Sequence, residues 1–138
     1  AGKTLPAEAS FFPAGATIPP GLCGGREADM NLERAANILE QVERSSLAGP
    51  RCRTWVDAAV RYAQIRVAWE RTDAAGRSAM DASRTSAHDV FIDECNILSR
   101  AMLAAGESNA WRAEIGTERG EIGDFACLLH CVLGLRAR

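Results

Sequence analysis

TDAAGRSAMDASRTSAHDVFIDECNILSRAMLAAG, residues 72–106, is the stretch that decides the fold. Thr72 and Asp73 supply an N-cap region, although Gly76 weakens the first turn that follows. Met80, Ala87, Phe91, Cys95, Leu98 and Met102 then recur at steps of three, four or seven, the period of one helical face. Gly106 suits the left-handed residue that closes such a helix. The spacing predicts a single long helix over 73–105, with Ser83–Ser86 the place where a break would fall if there were one.

Working outward, the neighbouring segments carry the same period. Leu32, Ala35, Ala36, Leu39 and Val42 put a helix at 30–46. Gly49-Pro50 then starts another at 51–71, because proline belongs in a helix's first turn. Its inward residues are Trp55, Val56, Ala59, Tyr62, Ala63 and Val67. A linker with Trp111 and Ile115 leads to a last helix at 118–134, carrying Ile122, Phe125, Leu128, Leu129 and Val132. Four amphipathic helices with short connections predict an all-α, up-and-down four-helix bundle with long second and third helices. Residues 1–28 differ in kind. They hold Pro6, Pro13, Pro19 and Pro20 and the pair Gly24-Gly25, and read as an irregular arm before a bundle domain at 29–138.

Composition agrees with this class. The 138 residues make one domain, 47% apolar and 25% charged, with no apolar run long enough to span a membrane. Sixteen basic groups face eighteen acidic ones for a net charge of −2, and Lys3 is the only lysine. Without a basic excess on one element, nucleic-acid binding is disfavoured. The cysteines, Cys23, Cys52, Cys95, Cys127 and Cys131, are odd in number and lie mostly inside apolar helical patterns. There a free thiol behaves as a small hydrophobe, which suits a reducing compartment, and the expectation is cytoplasmic.

The long helix also holds the candidate site. With Phe91 set at zero on a helical projection, Arg84 and Arg77 fall within roughly 40° of the apolar stripe and His88 within about 60°. The preceding helix mirrors this, its stripe Cys52, Trp55, Ala59 and Ala63 ending in Arg66 and Glu70. An antiparallel hairpin brings Arg66, Glu70, Arg77 and Arg84, with His88 deeper in, to one end of the molecule. Two readings stand side by side. In one, the long helix overhangs its partners and the polar stripe is simply wet. In the other, the arginine excess over Glu70 receives an anionic ligand, or the hairpin clasps a second subunit. Burying several guanidiniums with one carboxylate is otherwise expensive.

Other constellations carry less. Asp89, Asp93, Asn96 and Arg100 form a polar row on the opposite face, read as solvated, with Asp93 and Asn96 near Arg100. The chain has no Glu-x-x-His; Cys127 and His130 both point away from Phe125, and Cys131 leaves the helix on a different side. No metal and no cofactor is therefore expected. Gly120 and Gly123, inside a predicted helix, suggest helix-on-helix contact.

The runs Arg84 to Arg100 (RTSAHDVFIDECNILSR) and Glu121 to Arg138 (EIGDFACLLHCVLGLRAR) make the chain similar to small, uncharacterised all-helical bacterial proteins. That resemblance implies an all-helical fold and brings no catalytic residue with it. The sequence reading favours a non-enzymatic interaction protein, forming a homodimer or binding a protein partner through helix faces. The alternative is a binder, or enzyme, of a small anionic ligand held by Arg66, Glu70, Arg77, Arg84 and His88.

Overall fold

A computed structural model describes residues 30–137; the proposed arm at 1–28, with Cys23, lies outside the described residues. Five helices are present: α1 (Leu32–Glu43), α2 (Pro50–Glu70), α3 (Ala74–Ala104), α4 (Trp111–Ile115) and α5 (Arg119–Arg136). The described residues are mostly helical with no strand among them, an all-α fold. Helix ends follow from local chemistry. Asn31 and Asp73 cap α1 and α3 by accepting the amides of Arg34 and Gly76, both at 2.9 Å. Gly49 at φ +98° turns the chain into Pro50, and Gly106 at φ +82° follows the end of α3. Continuous through 83–86, α3 has none of the interruption that its serines allowed.

The fifth helix corrects the count of four. The stretch read as a linker holds α4, and its Trp111 and Ile115 are buried. Five residues are too short to display a helical period, so the element shows only once tertiary packing is known.

Packing is centred on α5. Its Ile122, Phe125, Cys127, Leu128, Leu129, Cys131 and Val132 are buried on every side of the helix, so it has no outward face over that span. Helix α2 packs along α3 and also on α5, and α1 lies against α5. An aromatic knot locks these elements together. Trp55 of α2 meets Trp111 edge-on at 5.7 Å and Phe125 at 6.0 Å, while Phe91 of α3 stacks on Phe125 at 6.2 Å. The buried indole N–H of Trp55 donates to the Cys95 thiol at 3.3 Å.

Loops and ends are tied down by charge. Glu107, just beyond α3, accepts from the hydroxyls of Ser45 and Ser46 and from the Ser46 amide, fixing the α1–α2 turn. These bonds hold its carboxyl below the ordinary value. Arg136 forks onto Glu43 at 2.7 and 2.9 Å, joining the end of α5 to the end of α1. Asn96 departs from the solvated row expected of it. It is half-buried and accepts from Arg112 Nε at 2.8 Å, so its partner is the α4 arginine and not Arg100.

Candidate functional site

One long segment has no counterpart in this knot. From Gln64 through Ser86, twenty-three consecutive residues at the end of α2 and the start of α3, no residue is buried. Its largest side chain, Trp69, is half-exposed and is covered by charge instead of by hydrocarbon. The guanidiniums of Arg77 and Arg84 lie 4.5 and 4.4 Å from the centre of its ring. The Trp69 indole N–H donates to Asp81 at 3.2 Å, and Asp81 also sits 3.5 Å from Arg84. Arg77 does a second job, because its Nε and NH2 donate to the carbonyls of Trp69 and Glu70 at 3.1 and 3.2 Å. Those carbonyls belong to the last turn of α2, where helices leave acceptors unmet and a cation is favoured.

The five residues proposed from sequence are thus partly gathered and partly separated. Arg77, Arg84 and His88 share the α2-facing flank of α3 with Phe91 and Leu98: the two arginines meet Trp69, and His88 meets Tyr62. Glu70 joins only through its backbone carbonyl, its side chain being exposed. Arg66 turns to the opposite neighbour. It forms an ion pair with Asp124 of α5 at 3.1 Å, both side chains about 15% exposed (14% and 16%), and its NH1 donates to the Gly120 carbonyl at 3.4 Å. A methyl at Gly123 would fall inside the Arg66 guanidinium, so the glycine makes room for a side chain and not for a helix backbone. At Gly120 an added methyl meets nothing, which removes the reason for close helix contact expected there.

Deeper in, α2, α3 and α5 meet around Tyr62. His88, also buried, presents its ring to Tyr62 at 5.4 Å in an edge-on arrangement. Its Nδ1 lies 3.1 Å from Asp89. From α5, Arg119 donates to the Thr85 hydroxyl at 3.1 Å, beside Arg84. Burial raises the Tyr62 phenol above its ordinary value, while the charges of Arg66, Arg119 and Arg84 pull the other way. Sequence reasoning missed Trp69, Arg119 and Asp124 as members of this region. A signal existed for the first. Arg77 and Arg84 are seven residues apart on one face of α3, so both need the same surface to lie on. Asp124 carried a weaker one, next to a glycine with no evident turn.

Among the described residues no three histidine, cysteine or acidic side chains come together as a metal site. Cys127 and Cys131, expected to leave their helix on different sides, are both buried because α5 is central. Burial pushes the Cys127 and Cys95 thiols up to about 12, so neither is a thiolate at neutral pH. Burial also lowers the His130 imidazole. No helix among the described residues is long and apolar enough to cross a membrane.

Searches of family models, of curated proteins and of solved structures returned no match to this chain.

Proposed function

We propose that this is a non-enzymatic interaction protein that pairs with a second copy of itself through the outer faces of the α2–α3 hairpin. The observation that supports the reading is a division of charge between those faces. The solvent side of α2 carries Arg53 and Arg61, with Asp57 between them and Arg71 at the C-cap, and none of these three arginines forms an ion pair among the described residues. The outer face of α3 carries Asp81, Asp89 and Asp93 along a shallow groove whose other walls include Ala82, Thr85 and Ser86. Asp81, which also accepts from Trp69 of α2, and Asp89 stay 58% and 65% exposed, and Asp93 makes no such contact among the described residues.

Small residues between the acids let a helix approach closely, and the two sets share a spacing. Arg53 to Arg61 and Asp81 to Asp89 are each eight residues, about 12 Å along a helix axis. Opposite charges at matched rise favour one docking register over others, which is how charge contributes specificity at an interface. Neither face offers a broad apolar patch. Val90, Ile97 and Leu103 are the large hydrophobic residues exposed among those described, so the association expected is reversible and salt-sensitive.

Sedimentation velocity over a concentration series tests this, at low and at high salt. The expected result is a concentration-dependent dimer at low salt that weakens as salt rises. Arg61→Asp and Asp89→Arg should each weaken it by about three- to tenfold, the scale of one or two exposed ion pairs. Mixing the two variants should restore association. A monomer at every concentration, or a dimer indifferent to both reversals, overturns the reading.

A further inference from the structure

Residues 71–73 join α2 to α3, and the helices they connect meet in a strict register. In each of the contacts Trp55–Cys95, Tyr62–His88 and Trp69–Asp81, the two residues are equally distant in sequence from position 75. The stripes that make these contacts are also in phase. Trp55, Tyr62 and Trp69 recur every seven residues, as do Arg77, Arg84 and Phe91, and Asp73 stands four residues from both Trp69 and Arg77. On one straight helix these side chains would share a single face.

Folding back at this turn has a local cost. It takes the last carbonyls of α2 and the first amides of α3 out of the helical ladder. It also requires glycine at 76, because a methyl there would fall on the Thr72 hydroxyl and 3.1 Å from the Thr72 Cβ. In a straight helix residues 72 and 76 are ordinary neighbours one turn apart, and alanine is favoured over glycine. The first half of the chain, moreover, is held by the second. Helices α1 and α2 both pack on α5, and α2 on α3, whereas α1 and α2 hardly meet among the described residues. Their ion pairs, Glu43 with Arg136 and Arg51 with Glu94, run from one half to the other.

We propose that residues 71–73 are a hinge through which two copies of this chain exchange their α1–α2 halves. Opened, α2, the hinge and α3 form one helix over 50–104, about 80 Å long. Each chain's α1–α2 then packs on the α3–α5 half of the other, and the contacts between halves are remade, so that only the hinge changes. The observed register puts the two-fold axis beside position 75. There Ala74, Ala75 and Gly76 are small enough to let two helices cross closely, and Asp73 comes opposite Arg77 of the partner subunit. Straightening also gives the unpaired amides and carbonyls of the turn to each other. From Gln64 through Ser86 no residue is buried, so opening the tip uncovers little apolar surface.

The test is refolding of the full chain at high protein concentration, with monomer and dimer separated by size exclusion and weighed by light scattering. Gly76→Ala penalises only the folded-back turn, and should raise the dimer-to-monomer ratio at least tenfold. Adding Thr72→Gly clears the space and should return the ratio to the wild-type value or below. Should Gly76→Ala fail to fold, a mixing experiment decides. Glu43→Arg and Arg136→Glu break one exposed ion pair from opposite halves. Chains carrying one change each, refolded together, should give heterodimer above the statistical share, because exchange leaves opposite charges facing in both lobes. A Gly76→Ala chain that stays monomeric, or heterodimer at or below the statistical share, overturns the proposal. The exchanged dimer should persist in high salt, where the outer-face pair dissociates, so the two proposals fail separately.

Discussion

The knot around Phe125 and the hairpin tip around Trp69 each hold a tryptophan against neighbouring helices, by opposite means. Trp55 is wholly buried among Trp111, Phe125 and the Cys95 thiol. Trp69 lies under Arg77 and Arg84, within a run where nothing is buried. The first draws on apolar burial, about 25 cal/mol per Å² removed from water. The second draws on cation–π contacts of about 0.5–1 kcal/mol each at exposed sites, and on capping the last carbonyls of α2. A hairpin can thus extend beyond its core by replacing hydrocarbon with arginine. The cost is lower local stability, and the gain is a rigid element whose outer faces stay available.

That difference is easiest to break at its strong end. Phe125→Ala should destabilise the fold by about 3–5 kcal/mol in urea denaturation, because the neighbouring aromatic rings cannot close the hole. Trp69→Ala, although it removes a larger side chain, should cost only about 1–2 kcal/mol, because what it loses is two exposed-site stacks and partial burial. Equal costs for the two would show that the tip is part of the core.

A double-mutant cycle sharpens the boundary between the regions. Gly123→Ala gains up to about 1 kcal/mol of helix propensity in isolation but drives Arg66 off Asp124. Gly123→Ala should therefore be neutral or destabilising in the wild-type background, and stabilising once Arg66→Ala has emptied the space. Additivity of the two changes would mean that the glycine is not there for the arginine.

The smallest effect is set by pH at the other end of the molecule. The carboxyl of Glu107 is held below its ordinary value of 4.5 in the folded chain by Ser45 and Ser46. The stability it contributes is fully present above the unfolded value and is lost as pH falls through the folded one. The melting temperature of Glu107→Gln should lie below that of wild type at pH 6 and converge with it as the solution is acidified below about 4. A gap that stays constant down to pH 3 would assign the effect to shape and not to charge.

Much of this architecture was legible in the sequence, and the exceptions share a cause. Each long helix shows its apolar period, and Asp73, Pro50 and Gly106 mark ends in ways that local chemistry dictates, whereas the Asn31 cap fell inside the helix expected at 30–46. Placing Arg77, Arg84 and His88 on the flank of Phe91 needed only helical geometry. What sequence spacing does not carry is the identity of the neighbour. Arg66 sits on the same stripe of α2 as Trp55 and Ala59, yet it pairs with α5 and not with α3, because α2 packs against both. Asn96 reads as a solvated residue until α4 delivers Arg112. Cys127 looks outward-facing only if α5 has an outside, and a central helix has none. In each case the missing knowledge was which element lies alongside, a property of tertiary packing.

Native-state hydrogen exchange tests the two-tier account most directly. Amides of 64–71 and 74–86 should exchange through local opening at a lower free energy than those of 55–63 and 87–102, and Trp69→Ala should speed the first set while leaving the second unchanged. One uniform opening free energy across both sets, shifted as a whole by Trp69→Ala, would contradict it.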